Sequence, residues 1–299
     1  VDVSTVRDDL LSLVDTSGHV PPSKLFRLFN IAGRLLSFRY FPESLDIQFP
    51  GVDYRTKEDI YISGELAAAA EHEGIITGFT DYIADRALQG SQPSLVGLSV
   101  NFPHQIVSAL RIAKAIKEIM PSVFIVAGGM FVTAYAEGLK NPSLFRYVDA
   151  YACGDGEGIL HDLYGAVGEK SGWHDIRGLI YCKDGSVVNN DPGPPLAIES
   201  ANVPDYSDFD LDSYLISRKY MWIPYRLSRG CSWGKCTFCR TDLVRHFDAA
   251  SSRKIVTDIS EITAQTGFKR FNFTDDECPP EVVDRLSETI IQHSLNIHW

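Results

Sequence analysis

Residues 95–129 read LVGLSVNFPHQIVSALRIAKAIKEIMPSVFIVAGG, and this stretch decides the architecture. Its two ends, 95–102 and 123–128, are short apolar runs bounded by Gly, Pro or Asn, the pattern of strands buried in a parallel sheet. Between them Ile106, Leu110, Ala113, Ile116 and Ile119 or Met120 recur at helical spacing, while Arg111, Lys114 and Lys117 are expected to face outward. The middle is therefore a crossover helix. A third run, 147–153 (YVDAYAC), and helices over 133–139 and 159–167 continue the alternation, which predicts an open, doubly wound α/β sheet of the Rossmann or flavodoxin type.

Upstream, helical patterns over 6–14 and 23–38 flank a Gly-His-Val-Pro-Pro breaker, and the turn-rich FPESLDIQFPGVDYR follows. The helical reading resumes over 64–88. Downstream, GLIYCKDGSVV reads as a hairpin around Asp184-Gly185, and the Pro- and Asp-rich stretch after it as an interdomain linker. A second βα series then begins, with a strand over 222–228, a cysteine-rich loop, a helix over 252–266, a strand over 268–273 and a helix over 280–293. The expected domains are a helical N-terminal segment (1–63), the doubly wound sheet (64–172), a hairpin and linker (173–217) and the first part of a (β/α) barrel (218–299). Another apolar run, 295–299, is just starting at the last residue, so the chain reads as a truncated piece of a longer protein.

Two domains also suit 299 residues, and 44% hydrophobic with 22% charged residues is a globular composition. No apolar run approaches the roughly 20 residues that span a bilayer, and VDVSTVRDDL lacks the basic-then-apolar layout of a secretory signal. A soluble cytoplasmic protein without a membrane partner is expected. The formal net charge of -11, with no cluster of Lys and Arg, argues against nucleic acid as a partner.

Of six cysteines, Cys231, Cys236 and Cys239 fall within nine positions in SRGCSWGKCTFCR, whereas Cys153, Cys182 and Cys278 are scattered. Without an export signal such a cluster reads as metal binding. A loop with C-x4-C-x2-C spacing directly after a strand can converge three thiolates on one centre, one short of the four that close an iron–sulfur cubane. The competing reading is a zinc site completed by His246 or Cys278. At the end of the next strand, Thr274, Asp275, Asp276 and Glu277 (FNFTDDE) would suit a cation; alternatively they form a solvated helix start, where acids are favoured.

With a cluster loop after a first strand and an aromatic residue before its last cysteine, the sequence resembles the radical-SAM superfamily. The order AGG-x-x-x-T, VDAYACGDGE, hairpin, Pro-rich linker and RGCSWGKCTFC over about residues 75–299 resembles, more closely, the cobalamin-binding radical-SAM proteins, including C-methyltransferases that mature peptides and natural products. This resemblance implies a 4Fe-4S cluster on Cys231, Cys236 and Cys239, with the open iron taking the amino and carboxylate groups of S-adenosylmethionine (SAM). Phe238 would pack near the adenine, and Thr274, Asp275, Asp276 and Glu277 would meet the SAM ammonium. It implies cobalamin on the carboxyl edge of the α/β domain, at Ser99, Asn101 and Phe102, at Gly128, Gly129, Phe131 and Thr133, and at Gly154, Asp155, Gly156 and Glu157. Reductive cleavage of SAM and methylation of an unactivated carbon of a peptide or small molecule follow, with flavodoxin or ferredoxin as electron donor.

Three departures stand beside the resemblance. Four residues, not the more common three, separate the first two cysteines. The D-x-H-x-x-G motif that supplies a cobalt-ligating histidine is absent, and His104 reads as a turn or surface residue. The first strand of a full cobalamin domain is also not evident, because the N-terminal part is mainly helical. Radical chemistry without methyl transfer, such as cyclisation, oxidation or rearrangement, is the alternative among enzymes; a non-catalytic metal- or cobalamin-binding module is the alternative outside them. Only 60 residues follow Cys239, too few to complete a barrel.

Overall fold

The computed structural model describes residues 22–48, 51–169, 172–211, 218–239 and 247–299; the helix expected over 6–14 lies outside them. The chain divides after Pro192 into two units. No helix among the described residues is long and apolar enough to cross a membrane.

The first unit opens with helix α1 (Pro22–Arg39) and an antiparallel pair, β1 (Ser44–Gln48) with β2 (Gly51–Arg55), where the sequence suggested only turns. Helices α2 (Ser63–Glu71) and α3 (Thr77–Leu88) follow. Then come β3 (Leu95–Ser99), α4 (Ile106–Ile119), β4 (Phe124–Gly128), the short α5 (Met130–Ala134), β5 (Ala150–Ala152) and α6 (Gly156–Glu169). Strands β3, β4 and β5 are parallel, with Leu95 opposite Phe124 and Val126 opposite Ala150. Because side chains alternate along a strand, Ile125, Ala127 and Tyr151 enter the core under α4, while Val126, Ala150 and Ala152 meet Ile159 and Leu163 of α6. Both faces of the sheet are thus covered, and each fully buried Leu or Ile contributes about 1.5–3 kcal/mol.

The strand order runs β3-β4-β5 and continues into β6 (Leu179–Lys183) and β7 (Ser186–Asn189), both antiparallel additions. The second helical layer therefore arises because α6 passes to the opposite face, not because the strand order reverses. The hairpin that the sequence reading set outside the sheet domain is the far edge of this sheet, held by β5–β6 pairing and by the burial of Leu179 and Ile180.

The sequence reading placed Arg111 outward, and the structure corrects it: Arg111 is 4% exposed. Its Nε and Nη2 donate to the Ala69 carbonyl at 3.1 and 3.0 Å, and Nη2 lies 3.7 Å from Glu43 Oε1. Glu43 also accepts from the Tyr54 hydroxyl at 2.9 Å and from the Ile75 amide at 2.7 Å. Helical periodicity treats a charged face as solvated unless a further layer covers it, and α2 and α3 supply that layer. Lys114 and Lys117 stay at the rim, paired with Glu71 at 3.2 Å and Asp149 at 2.8 Å.

The second unit contains β8 (Ile223–Tyr225), a short antiparallel pair of β9 (Ser228–Arg229) with β10 (Asp248–Ala249), α7 (Ser252–Thr266), β11 (Phe271–Phe273) and α8 (Pro280–Gln292). Strand β11 runs parallel to β8, with Phe271 opposite Ile223, so α7 is their crossover. Ser251 caps α7 by accepting from the Lys254 amide, and Gly267, at φ 74°, ends it. Ile255, Ile259 and Ile262 of α7 pack with Tyr225, Leu227, Phe271, Val282 and Leu286. A parallel bridge from Arg270 to His298 starts a third strand beyond β11. No closed barrel forms within these residues.

Candidate functional site

The first unit presents three loops at the carboxyl ends of β3, β4 and β5, the edge where open α/β sheets take ligands. They are laced together by neutral hydrogen bonds. Asn101 Oδ1 accepts from the Met130 amide at 3.2 Å, joining the first loop to the second. Thr133 Oγ1 accepts from the Gly154 amide at 3.0 Å, joining the second to the third. Gly129 makes the close approach between them: at φ 111°, a Cβ there would lie 2.5 Å from the Val100 carbonyl oxygen.

Ser99, Asn101, Phe102, Met130, Gly154 and Glu157 are exposed on this edge, and Gly128, Asp155 and Gly156 are half-buried. A Cβ added at Gly156 or Gly158 would meet nothing, so the N-terminal turn of α6 is open to close approach. The ring of His104 stacks on Phe102 at 5.6 Å in the turn before α4. Backbone amides, a hydroxyl, a carboxamide and the exposed faces of Phe102 and Met130 fit a large, partly apolar ligand that carries amide groups. Two expected contacts have other roles here. Phe131 is 6% exposed and packs on Tyr135 at 5.3 Å and Tyr61 at 6.3 Å, inside the core and off the edge. Thr133 uses its hydroxyl to join loops. The Cys153 thiol, buried below this edge, donates to the Val132 carbonyl, and burial pushes its pKa up to about 12, as befits an inert core thiol.

The second unit presents a different edge. The cysteine loop leaves the carboxyl end of β8 through β9, and Thr274–Glu277 leave the carboxyl end of the neighbouring β11. The Thr274 amide continues the pairing by donating to the Tyr225 carbonyl at 3.0 Å. Asp275 Oδ1 accepts from both the amide and the hydroxyl of Ser228. Glu277 accepts from the Ser232 amide at 2.6 Å and from its hydroxyl at 2.9 and 3.0 Å. Hydrogen bonding from the Cys231 thiol, then from Ser232, holds the Glu277 carboxyl below the usual carboxylate range. Two of the four expected polar residues thus grip the cysteine loop, and Asp276 is the exposed carboxylate of the run.

Of the three clustered cysteines Cys236 is exposed and the other two are half-buried, and Phe238 is 88% exposed. The donor set has the chemistry of a soft-metal centre, since three thiols share one short loop. Among the described residues, no three His, Cys, Asp or Glu side chains are already arranged to hold a metal. Of the fourth ligands considered for zinc, His246 lies outside the described residues. Cys278 is exposed, its thiol pKa raised by partial burial and then by the Asp275 charge. Ser228 and Ser232, which the sequence did not single out, anchor this edge. Their signal was proximity: each lies within three residues of Cys231, opposite a carboxylate-rich strand end.

The first unit is an open α/β sheet and the second contains a parallel βα pair, and the sequence of residues 61–163 matches the family described as B12 binding domain. The chain is 26% identical over 236 residues, 76% of its length and 50% of the relative's, to a Pyrococcus horikoshii protein described as an uncharacterized methyltransferase. In fold it matches the cobalamin-dependent SAM radical enzyme OxsB with aqua-cobalamin bound, at TM-score 0.58 and 22% identity over 72% of this chain and 31% of that one. It also matches the radical SAM methyltransferase TsrM from Kitasatospora setae with tryptophan and a SAM analogue bound, at TM-score 0.53 and 18% identity over 79% of this chain and 48% of that one. The chain spans half or less of the length of each of these proteins.

Proposed function

We propose that the chain binds cobalamin on the carboxyl edge of its first sheet and carries a 4Fe-4S cluster on Cys231, Cys236 and Cys239. In this reading it forms the cofactor-binding part of a radical-SAM enzyme that methylates carbon in a peptide or small-molecule substrate. One observation carries the reading: a three-thiol loop and a polar strand end leave the same edge of a parallel βα pair, in a chain whose other unit matches the B12-binding family. When bound, the cluster would supply the electron that breaks the SAM sulfonium C–S bond, and cobalamin would supply the methyl group.

The chain's own residues have definable tasks. Ser99, Asn101 and the backbone at 128–129 and 154–157 would hold the amide-bearing rim of the corrin, with Phe102 and Met130 against its apolar surface. The loop from Cys231 to Cys239 would hold iron through three thiolates, and Phe238 is free to fold over an adenine. Asp276, exposed at the end of β11, would face the SAM ammonium. Flavodoxin or ferredoxin, in a reducing cytoplasm, is the proposed electron source.

The test is anaerobic reconstitution with iron and sulfide, followed by SAM and dithionite, with 5'-deoxyadenosine as the readout in this chain and in a longer chain that completes the barrel. Its formation by the longer protein, and its absence in the Cys236→Ala variant, supports the reading. A tightly held zinc, no cluster absorbance and intact SAM would sink it. Product analysis with methylcobalamin separates methyl transfer from cyclisation, oxidation or rearrangement.

A further inference from the structure

The loop between the first two cysteines is one residue longer than the more common spacing, and a longer loop has more freedom to lose before three thiols converge. The structure holds the first residue of that stretch. Ser232 immediately follows Cys231, and its amide and hydroxyl both donate to Glu277, 45 residues away at the end of the neighbouring strand. Two residues earlier in the same run, Asp275 takes the amide and hydroxyl of Ser228 in the same way. The Ser228 hydroxyl also reaches the Glu277 carbonyl at 3.2 Å. Two carboxylates thus bracket Cys231, fixing the chain three residues before it and one residue after it.

We propose that Glu277 is a positioning residue for the cysteine loop: it fixes the backbone at Ser232, and so the exit of Cys231, and it does not serve as a ligand of SAM. Both oxygens of Glu277 already accept from Ser232, which ties this carboxylate to the loop and makes it the less available acceptor for a SAM ammonium. Asp276 has no such engagement and is exposed. This inference rests on the reading of the loop as the cluster site, and it assigns the two acids of the run to different tasks. Groups that orient metal ligands without touching the metal commonly change retention of the metal by about 10–100-fold.

The experiment compares the full chain with its Glu277→Ala, Glu277→Gln, Ser232→Ala and Asp276→Asn variants. Amide hydrogen exchange at Ser232 is measured without iron; after anaerobic reconstitution, the rate of iron loss to a chelator and the affinity for SAM are measured. The expected result is faster exchange at Ser232 in Glu277→Ala and iron loss about 10-fold faster. Glu277→Gln, which keeps one acceptor oxygen, recovers most of both. Ser232→Ala adds little to Glu277→Ala, and SAM affinity of the loaded fraction stays within about twofold except in Asp276→Asn. Unchanged exchange, or changed exchange with iron loss as in the wild type, overturns the positioning role. Normal iron retention with weakened SAM binding in Glu277→Ala also overturns it and makes Glu277 a SAM ligand. Failure of the wild type itself to take up iron tells against the cluster reading, and that outcome is visible before any variant is compared.

Discussion

The two units offer the same kind of edge, the carboxyl ends of parallel strands, but tie it together by different chemistry. In the first unit Asn101 and Thr133 bridge loops through neutral hydrogen bonds to backbone amides, and Gly129 lets the chain pass where an added Cβ would lie 2.5 Å from the Val100 carbonyl oxygen. In the second unit Asp275 and Glu277 grip serines on either side of Cys231, and the Cys231 thiol adds a bond to Glu277. The first edge is complete from protein contacts alone. The second has its flanks fixed, and in the proposed reading a metal would organise its centre, the usual division when ligand convergence is coupled to metal binding.

The sharpest way to break this comparison is Cys236→Ala. It should abolish cluster absorbance after reconstitution while binding of hydroxocobalamin, followed by its visible spectrum, stays as in the wild type. If both are lost, the two edges are not independent. Next in size is the buried pair beneath the first edge: Arg111→Ala leaves Glu43 without its cation and should cost about 3–5 kcal/mol in urea unfolding of the first unit. The Gly129→Ala variant forces a Cβ into a backbone region open almost only to glycine and should cost about 1–3 kcal/mol, with loss of cobalamin binding. Thr133→Val removes a single neutral bridge, and a loss of about 1 kcal/mol, independent of pH between about 5 and 8, is expected.

The smallest effect concerns pH. Burial opposes ionisation of Glu71, but hydrogen bonds from Tyr147 and Lys114 and the nearby Arg146 outweigh it and hold its pKa below the ordinary value. A carboxyl depressed in the folded state contributes stability that is present above its unfolded pKa and is lost as pH falls through the folded one. Unfolding of wild type and Glu71→Gln should therefore differ at neutral pH and converge in acid, below the ordinary carboxylate range. Because Glu71 is 35% exposed, solvent screening keeps the difference small.

Much of the first unit was legible because periodicity reports burial directly: the runs at 95–102, 123–128 and 147–153 became β3, β4 and β5. What escaped were features set by later layers. Arg111 lies on the polar face of an amphipathic helix, and nothing local reveals that Ala69 and Glu43 will cover it. The hairpin at 179–189 has the pattern of an isolated β-ribbon, and only pairing with Ala150–Ala152 makes it a sheet edge. At the candidate sites, residue type pointed to the right loops but not to the direction of the side chains. Phe131 and Asn101 both lie near glycines at strand ends; one packs inward on Tyr135 and the other bridges to Met130. Ser232 was invisible as a partner of Glu277 because their meeting depends on the parallel pairing of β8 with β11.

Among the described residues, the strands of the first sheet follow one another in chain order and all precede Pro192, so its pairing is available before the second unit is made. On a ribosome that adds roughly 5–20 residues per second, the first unit emerges seconds before the cysteine loop does. The order of synthesis thus separates two tasks in time. The first core can collapse before the thiols emerge, so their convergence is not forced to compete with it.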